Sequence, residues 1–440
     1  MGPECTSQGH MGSPYKSVKR LDVLHVAWRK VAVNGRASIS KDTRNDIAKF
    51  GEDEFVNLRQ IQRSLGKGTF QFEKQRGLTI ETKTKGKFRP LVIAPVANRI
   101  VQRAILDVLV SKVRAIKQVM RTPTSIGGIP GRGTRHALAL VCTAVDQGAT
   151  YFIRSDIRGF FTRIPRTNVQ NFVAESVSDT EFLKLFENAL KTELINLDQL
   201  AEHKSLFPIG DNGVAQGSAL STLAGNIVLQ EFDKRFNDRG IVCVRYVDDF
   251  ILLGPNESKV RKAFDSVLKL LGSLGMSAYS PWDDSQKAEC GDVSQRFTFL
   301  GCDIFANGRL IQPSHRARQH LVSLVTETVS KGIEGMCSFV EGRERPKLQQ
   351  GYGYAQTLNR LNGVISGWGH AFGFCNAPQV MASLDASVDK EMGRLFHQAK
   401  GLLASTNAQQ RRRVLGVQLL SDLPVSRDVI PWNQSVLATD

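Results

Sequence analysis

The run 241-IVCVRYVDDFILLG-254 sets two adjacent carboxylates, Asp248 and Asp249, inside an otherwise apolar stretch. Val242, Val244 and Val247 precede the pair, and Phe250, Ile251, Leu252 and Leu253 follow it. The pattern predicts strand–turn–strand, 241–246 and then 250–254, with the acids at the turn. A buried charge costs many kcal/mol unless it is paired or coordinates a metal. The pair therefore either makes a turn or holds something there, and the run alone leaves both open.

A second acid narrows the choice. The β-prone run 150-TYFIRSD-156 ends at Asp156, directly before 157-IRGFF-161. If the two strands lie side by side in one sheet, their separation in sequence does not matter. Carboxylates converging at strand ends form an oxygen-rich site suited to Mg²⁺. Two such ions about 4 Å apart can activate an attacking hydroxyl and stabilise the leaving oxygen of a phosphoryl transfer. With Asp156 added, a metal site and a plain turn weigh evenly.

The rest of the chain sets the frame. Strands are predicted at 77–83 and 88–95, joined by the basic turn 83-KTKGK-87, and a long helix at 96–113. A glycine-rich loop, 124-TSIGGIPGRGT-134, precedes a helix through 136–145, and a further helix is expected to start at Ser218. Beyond 313 the pattern is mainly helical, notably 353–374 and 379–400. At roughly 150 residues per domain, the 440 residues suggest two to four lobes. The formal charge of +16 favours a polyanionic partner, nucleic acid before an anionic membrane. No run approaches the ~18 apolar residues of a membrane span. Seven scattered cysteines without a CxxC pair argue against a disulfide framework or a Cys-rich zinc site, so a cytoplasmic location is expected. The polar N-terminus lacks a secretory apolar core and reads as a disordered lead-in.

The order of the motifs goes further. From about residue 20 to 375 the chain resembles reverse transcriptases, most closely the group II intron-like bacterial branch. YVDD (246–249) is the signature tetrad of that superfamily, and SDIRGFF (155–161) looks like its first metal-binding motif. QGSALSTLAGNIVL (216–229) resembles its nucleotide- and template-contacting motif, and KFRPLVIAPVANRIVQRAI (87–105) its fingers strand and helix. TSIGGIPGRGTRHAL resembles the glycine-rich element that follows, FTFLGCDI the primer grip, and LNRLNGVISGWGHAF the thumb helix.

The resemblance implies an α+β right-hand polymerase. Its expected parts are a lead-in (1–18), an N-terminal extension and fingers (19–149), and a palm with an antiparallel sheet (150–306). The palm holds a helical insertion near 165–210; a helical thumb (307–400) and a tail (401–440) follow. Asp156 and Asp248 would bind two Mg²⁺ ions, with Mn²⁺ as the alternative, helped by Ile157 and by Asp249 as a weaker ligand or electrostatic support. Lys87 (or Lys85) and Arg89 would bind the triphosphate. Phe161 stands at the steric-gate position, with Phe160 beside it as a core residue. Gln216 and Gly217 would lie against nucleotide and template, and Tyr246, Phe299, Leu300 and Gly301 near the primer. Lys287 would protonate the departing pyrophosphate.

Ala219 and Thr222 stand where the family commonly has prolines, and Asn98 where an Asp often precedes the Arg. No Cys/His-rich endonuclease segment follows the thumb, and retron hallmarks are missing at their usual places. The implied partners are dNTPs, a structured noncoding RNA template and its cDNA product, with no membrane. The leading expectation is an RNA-directed DNA polymerase of the defence-associated type that acts against phages. The alternatives are a maturase of an endonuclease-less intron, untemplated or protein-primed DNA synthesis, and a non-catalytic RNA-binding scaffold.

Overall fold

The computed structural model describes residues 13–38, 40–81, 88–237, 240–283, 287–341 and 352–420. The chain divides into two compact units, Met1–Gln295 and Arg296–Asp440.

The first unit opens with helices, Pro14–Val18, Leu21–Arg36, Lys41–Glu52 and Glu54–Gly66. The first of these falls within the span 1–18 expected to be a disordered lead-in, of which residues 13–18 are described. Tyr15 is buried and its hydroxyl donates to Leu65 O at 2.6 Å, while its N–H donates to Asp179 Oδ2 at 2.9 Å. Next, strands β1 (Arg76–Glu81) and β2 (Phe88–Ile93) pair antiparallel, as expected. The turn between them lies outside the described residues, and Lys85 and Lys87 with it. The helix Val96–Lys112 buries Asn98 completely. Its amide accepts from Glu73 N–H at 3.2 Å and donates to Glu73 O at 2.8 Å. An ionised aspartate could only accept, so the departure from the family pattern answers a local demand.

The centre of this unit is an antiparallel sheet ordered β4-β5-β3-β6, with β3 Tyr151–Asp156, β4 Val242–Tyr246, β5 Asp249–Gly254 and β6 Glu289–Asp292. Residues Phe250–Gly254 are all buried, which explains an apolar run with no alternation. Helix Glu257–Ser273 covers the sheet through Val260, Phe264, Val267 and Leu271. The helix expected from Ser218 starts at Ser221 instead. Gly217 has φ +119°, and residues 218–220 form a turn in which Ser221 N–H donates to Ser218 O. A second helix, Gln230–Asn237, follows after Leu229. Thr222 also has a packing role, because its methyl lies where any side chain at Gly128 would have to go.

The second unit holds a three-stranded sheet, β7 (Phe297–Phe299), β8 (Cys302–Phe305) and β9 (Leu310–Pro313). Long helices follow, His315–Glu341, Tyr354–Phe372 and Pro378–Ala404, around a core of Leu321, Val325, Val329, Leu361 and Leu395. No helix among the described residues is long and apolar enough to cross a membrane.

Candidate active site

Sheet register builds the site. β3 pairs with β5 so that Asp156 lies directly opposite Asp249, and Tyr246 of β4 opposes Asp249 from the other side. The turn is thus only Val247–Asp248, and Asp249 belongs to the strand rather than the tip. The Ile157 N–H donates to Asp248 O at 3.1 Å and ties the hairpin to the end of β3. Three aspartates therefore fall at the same end of the β3–β5 pair.

Their charge is poorly balanced. Burial raises the Asp248 carboxyl, with the Asp156 charge adding to it; Lys287 and Arg89 pull the other way. Burial and then the Asp248 and Asp156 charges push Asp249 up to about 7. Lys287 pairs with this cluster, its Nζ 3.0 Å from Asp156 Oδ2. Burial would lower this ammonium, but the Asp156 hydrogen bond and charge, with Tyr279 and Asp248, keep it raised.

Tyr279 supports this corner. Its N–H donates to Asp156 O at 3.1 Å, and its O accepts from the Ser155 hydroxyl at 2.6 Å. Lys287 Nζ stands 5.0 Å from the Tyr279 ring centre and the Arg158 guanidinium 4.4 Å from it.

Other expected residues gather nearby. Gln216 O accepts from Val92 N–H at 3.0 Å, and a Cβ at Gly217 would come within 3.0 Å of Val92 O. Gln216–Gly217 thus seals against β2, the strand that presents exposed Arg89. Phe160 is buried against Gly225, whereas Phe161 is half-buried, with ring centres 5.3 Å apart. Phe299, Leu300 and Gly301 belong to the second unit. There Leu300 (φ 47°) and Gly301 (φ 78°) make the turn between β7 and β8, and Phe299 is buried.

Among the described residues no three Cys, His, Asp or Glu side chains close on one point as a finished metal cage. The donor set nevertheless suits a hard divalent cation, since it is all carboxylate oxygen with unbalanced negative charge. Lys287 occupies one of the Asp156 oxygens that such an ion would use.

The sequence reading passed over Arg245 and Tyr279. Arg245 carried the same signal as the acids, a charge inside an apolar strand; Tyr279 carried none.

The reverse transcriptase (RNA-dependent DNA polymerase) family profile matches residues 80–304, just over half of the chain. The chain belongs to that family. Its α+β fold, with the carboxylates on an antiparallel sheet, is the class the sequence implied. The group II intron-encoded protein LtrA of Lactococcus lactis is 29% identical over 221 residues, 50% of this chain and 34% of LtrA. Protein YkfC of Escherichia coli is 30% identical over 188 residues, 42% of this chain and 46% of YkfC. The match thus spans less than half the length of either relative. Telomerase from Candida albicans, solved with a fragment of telomeric RNA, aligns with a TM-score of 0.39 at 11% identity, covering 81% of this chain and 68% of that one.

Proposed function

We propose that this reverse transcriptase copies an RNA template into DNA from dNTPs, with Asp156 and Asp248 as the metal-binding carboxylates. The observation that carries the reading is the register that sets Asp156 against Asp249 beside the Val247–Asp248 turn, leaving a half-buried acid cluster whose charges oppose one another. Bound there, a divalent cation (Mg²⁺, or Mn²⁺) would supply Lewis acidity toward the attacking 3′ oxygen and the phosphoryl group. Asp249 contributes negative potential from the strand rather than from the tip. Lys287 keeps a proton beside Asp156, available to the pyrophosphate oxygen as it leaves. Arg89 offers a guanidinium to the triphosphate, and Phe161 presents ring surface where a ribose 2′ oxygen would fall. Primer extension on an RNA template tests this directly. Synthesis that needs a divalent cation and dNTPs supports it, and none under any template or metal would overturn it.

The finer reading is a partner noncoding RNA as template and a role against phages. The formal charge of +16 supports a nucleic-acid partner. The likeness to an intron-encoded protein favours a second reading, a maturase bound to its own intron RNA. Sequencing of nucleic acid that co-purifies from the native host separates the two. A short RNA encoded beside the gene supports the first, and intron RNA flanking the gene the second.

A further inference from the structure

Behind the acid turn lies a guanidinium with no access to solvent. Arg245 is 0% exposed, as are its neighbours nearly so: Asp233 1%, Ser125 1% and Asn226 2%. Its donors are well used. Nε and Nη2 take the two oxygens of Asp233 at 2.8 and 2.6 Å, a bidentate fork. Nη2 also reaches Ser125 Oγ at 2.8 Å and Asn226 Oδ1 at 3.1 Å. Nη1 donates to Val247 O at 2.9 Å.

That last contact falls on an unusual residue. Val247 has φ +63°, a left-handed conformation that a β-branched side chain resists. The surroundings must hold it there. On one side Arg245 takes its carbonyl. On the other, bare Gly127 presses close, since a Cβ there would lie 2.4 Å from Val247 N. Asn226 links the two sides, accepting from Arg245 and donating to Gly127 O at 3.3 Å. Arg245 is itself fixed by its backbone: its N–H donates to Thr124 O at 2.9 Å, and its O accepts from Ile126 N–H at 2.8 Å.

We propose that Arg245 is a positioning residue of the acid site, clamping the strained Val247 carbonyl so that Asp248 is aimed at Asp156. The proposal rests on the reading of Asp248 as a metal ligand. It assigns to the glycine-rich loop and to the helices bearing Asn226 and Asp233 one shared task, to hold a single turn in shape.

The test measures DNA synthesis on a primed RNA template against Mg²⁺ concentration, with thermal melting of each variant. Arg245→Lys keeps the charge facing Asp233 but loses the fork, and should raise the half-saturating Mg²⁺ about tenfold, as loss of a ligand's supporting contact does. Adding Val247→Gly should bring it back to within about twofold of wild type, because glycine takes positive φ without help. Gly127→Ala pushes the turn from the opposite side without touching the ion pair, and should raise the Mg²⁺ requirement even if the Arg245 variant fails to fold. An unchanged Mg²⁺ requirement in Gly127→Ala, or in a folded Arg245→Lys, overturns the proposal. So does a double variant that gains nothing over Arg245→Lys alone. Asp248→Asn separates the two claims: if it still polymerises, the metal reading falls and the proposal with it. If it is inactive while Arg245→Lys behaves as wild type, the clamp alone falls.

Discussion

Two hairpins of this chain turn in two residues, and they do so by opposite means. The turn between β7 and β8, Leu300–Gly301, has positive φ at both positions. Glycine occupies the second position, and a Cβ there would meet Phe372 only at an ordinary 3.8 Å. The turn between β4 and β5, Val247–Asp248, has positive φ at its first position alone, a conformation that normally calls for glycine. It carries valine, and a buried network holds it. One turn sets a glycine beside its strained Leu300; the other has no glycine and is braced by its neighbours, and it is the braced one that carries an acid.

The largest effect that would break this contrast is at Asp248. Asp248→Asn should lower nucleotide incorporation about a thousandfold while leaving RNA binding near wild type. Full-rate primer extension by this variant would make the braced turn merely structural. Next comes Lys287→Met. It should slow turnover about a hundredfold for want of a proton donor. It should also lower the Mg²⁺ needed for half-maximal rate, because the ammonium no longer competes at Asp156. A higher Mg²⁺ requirement would assign Lys287 to building the site instead. Phe161→Ala should shift the dNTP-to-NTP preference about tenfold toward NTPs, measured by competing the two in one extension reaction.

Proton linkage gives a smaller and sharper test. Asp249 in the folded chain titrates at about 7, whereas an unfolded aspartate titrates at about 4. Between those values the folded state binds more protons, so metal-free stability should fall as pH rises through that window and level off above it. With the metal chelated, the melting temperature should be about 3–5 °C lower at pH 8 than at pH 5, and Asp249→Asn should flatten the slope. Last is the turn that contains glycine. Gly301→Ala should cost about 1 kcal/mol in denaturant unfolding, from backbone conformation alone. Loss of primer affinity in the same variant would make that turn functional as well.

The juxtaposition of the acids was signalled locally in sequence. An acid pair in an apolar run and another acid ending a second such run can be read without neighbours, but they weigh a turn and a metal site evenly until the order of the motifs is added. Asp249 was less legible: its residue type is plain, but only register shows that it lies in the strand facing Asp156. The helix starts three residues after the expected Ser218 for a similar reason, since Gly217 at positive φ carries the chain through a turn over 218–220 first. Tyr279 gave no sign at all. Its part comes from two backbone bonds and a ring face, and the backbone bonds depend on position rather than on side-chain type.

The place of β3 has a bearing on how the protein is made. This strand lies between β5 and β6, so its ladder partners are residues 249–254 on one edge and 289–292 on the other. A ribosome that has just released Asp156 has delivered neither. The acid site therefore has no precursor in the nascent chain, and its strands meet only after the closure of a long loop, a slow step in folding. Until then the apolar run of β3 waits without a sheet, and this is the interval in which a chaperone would meet it.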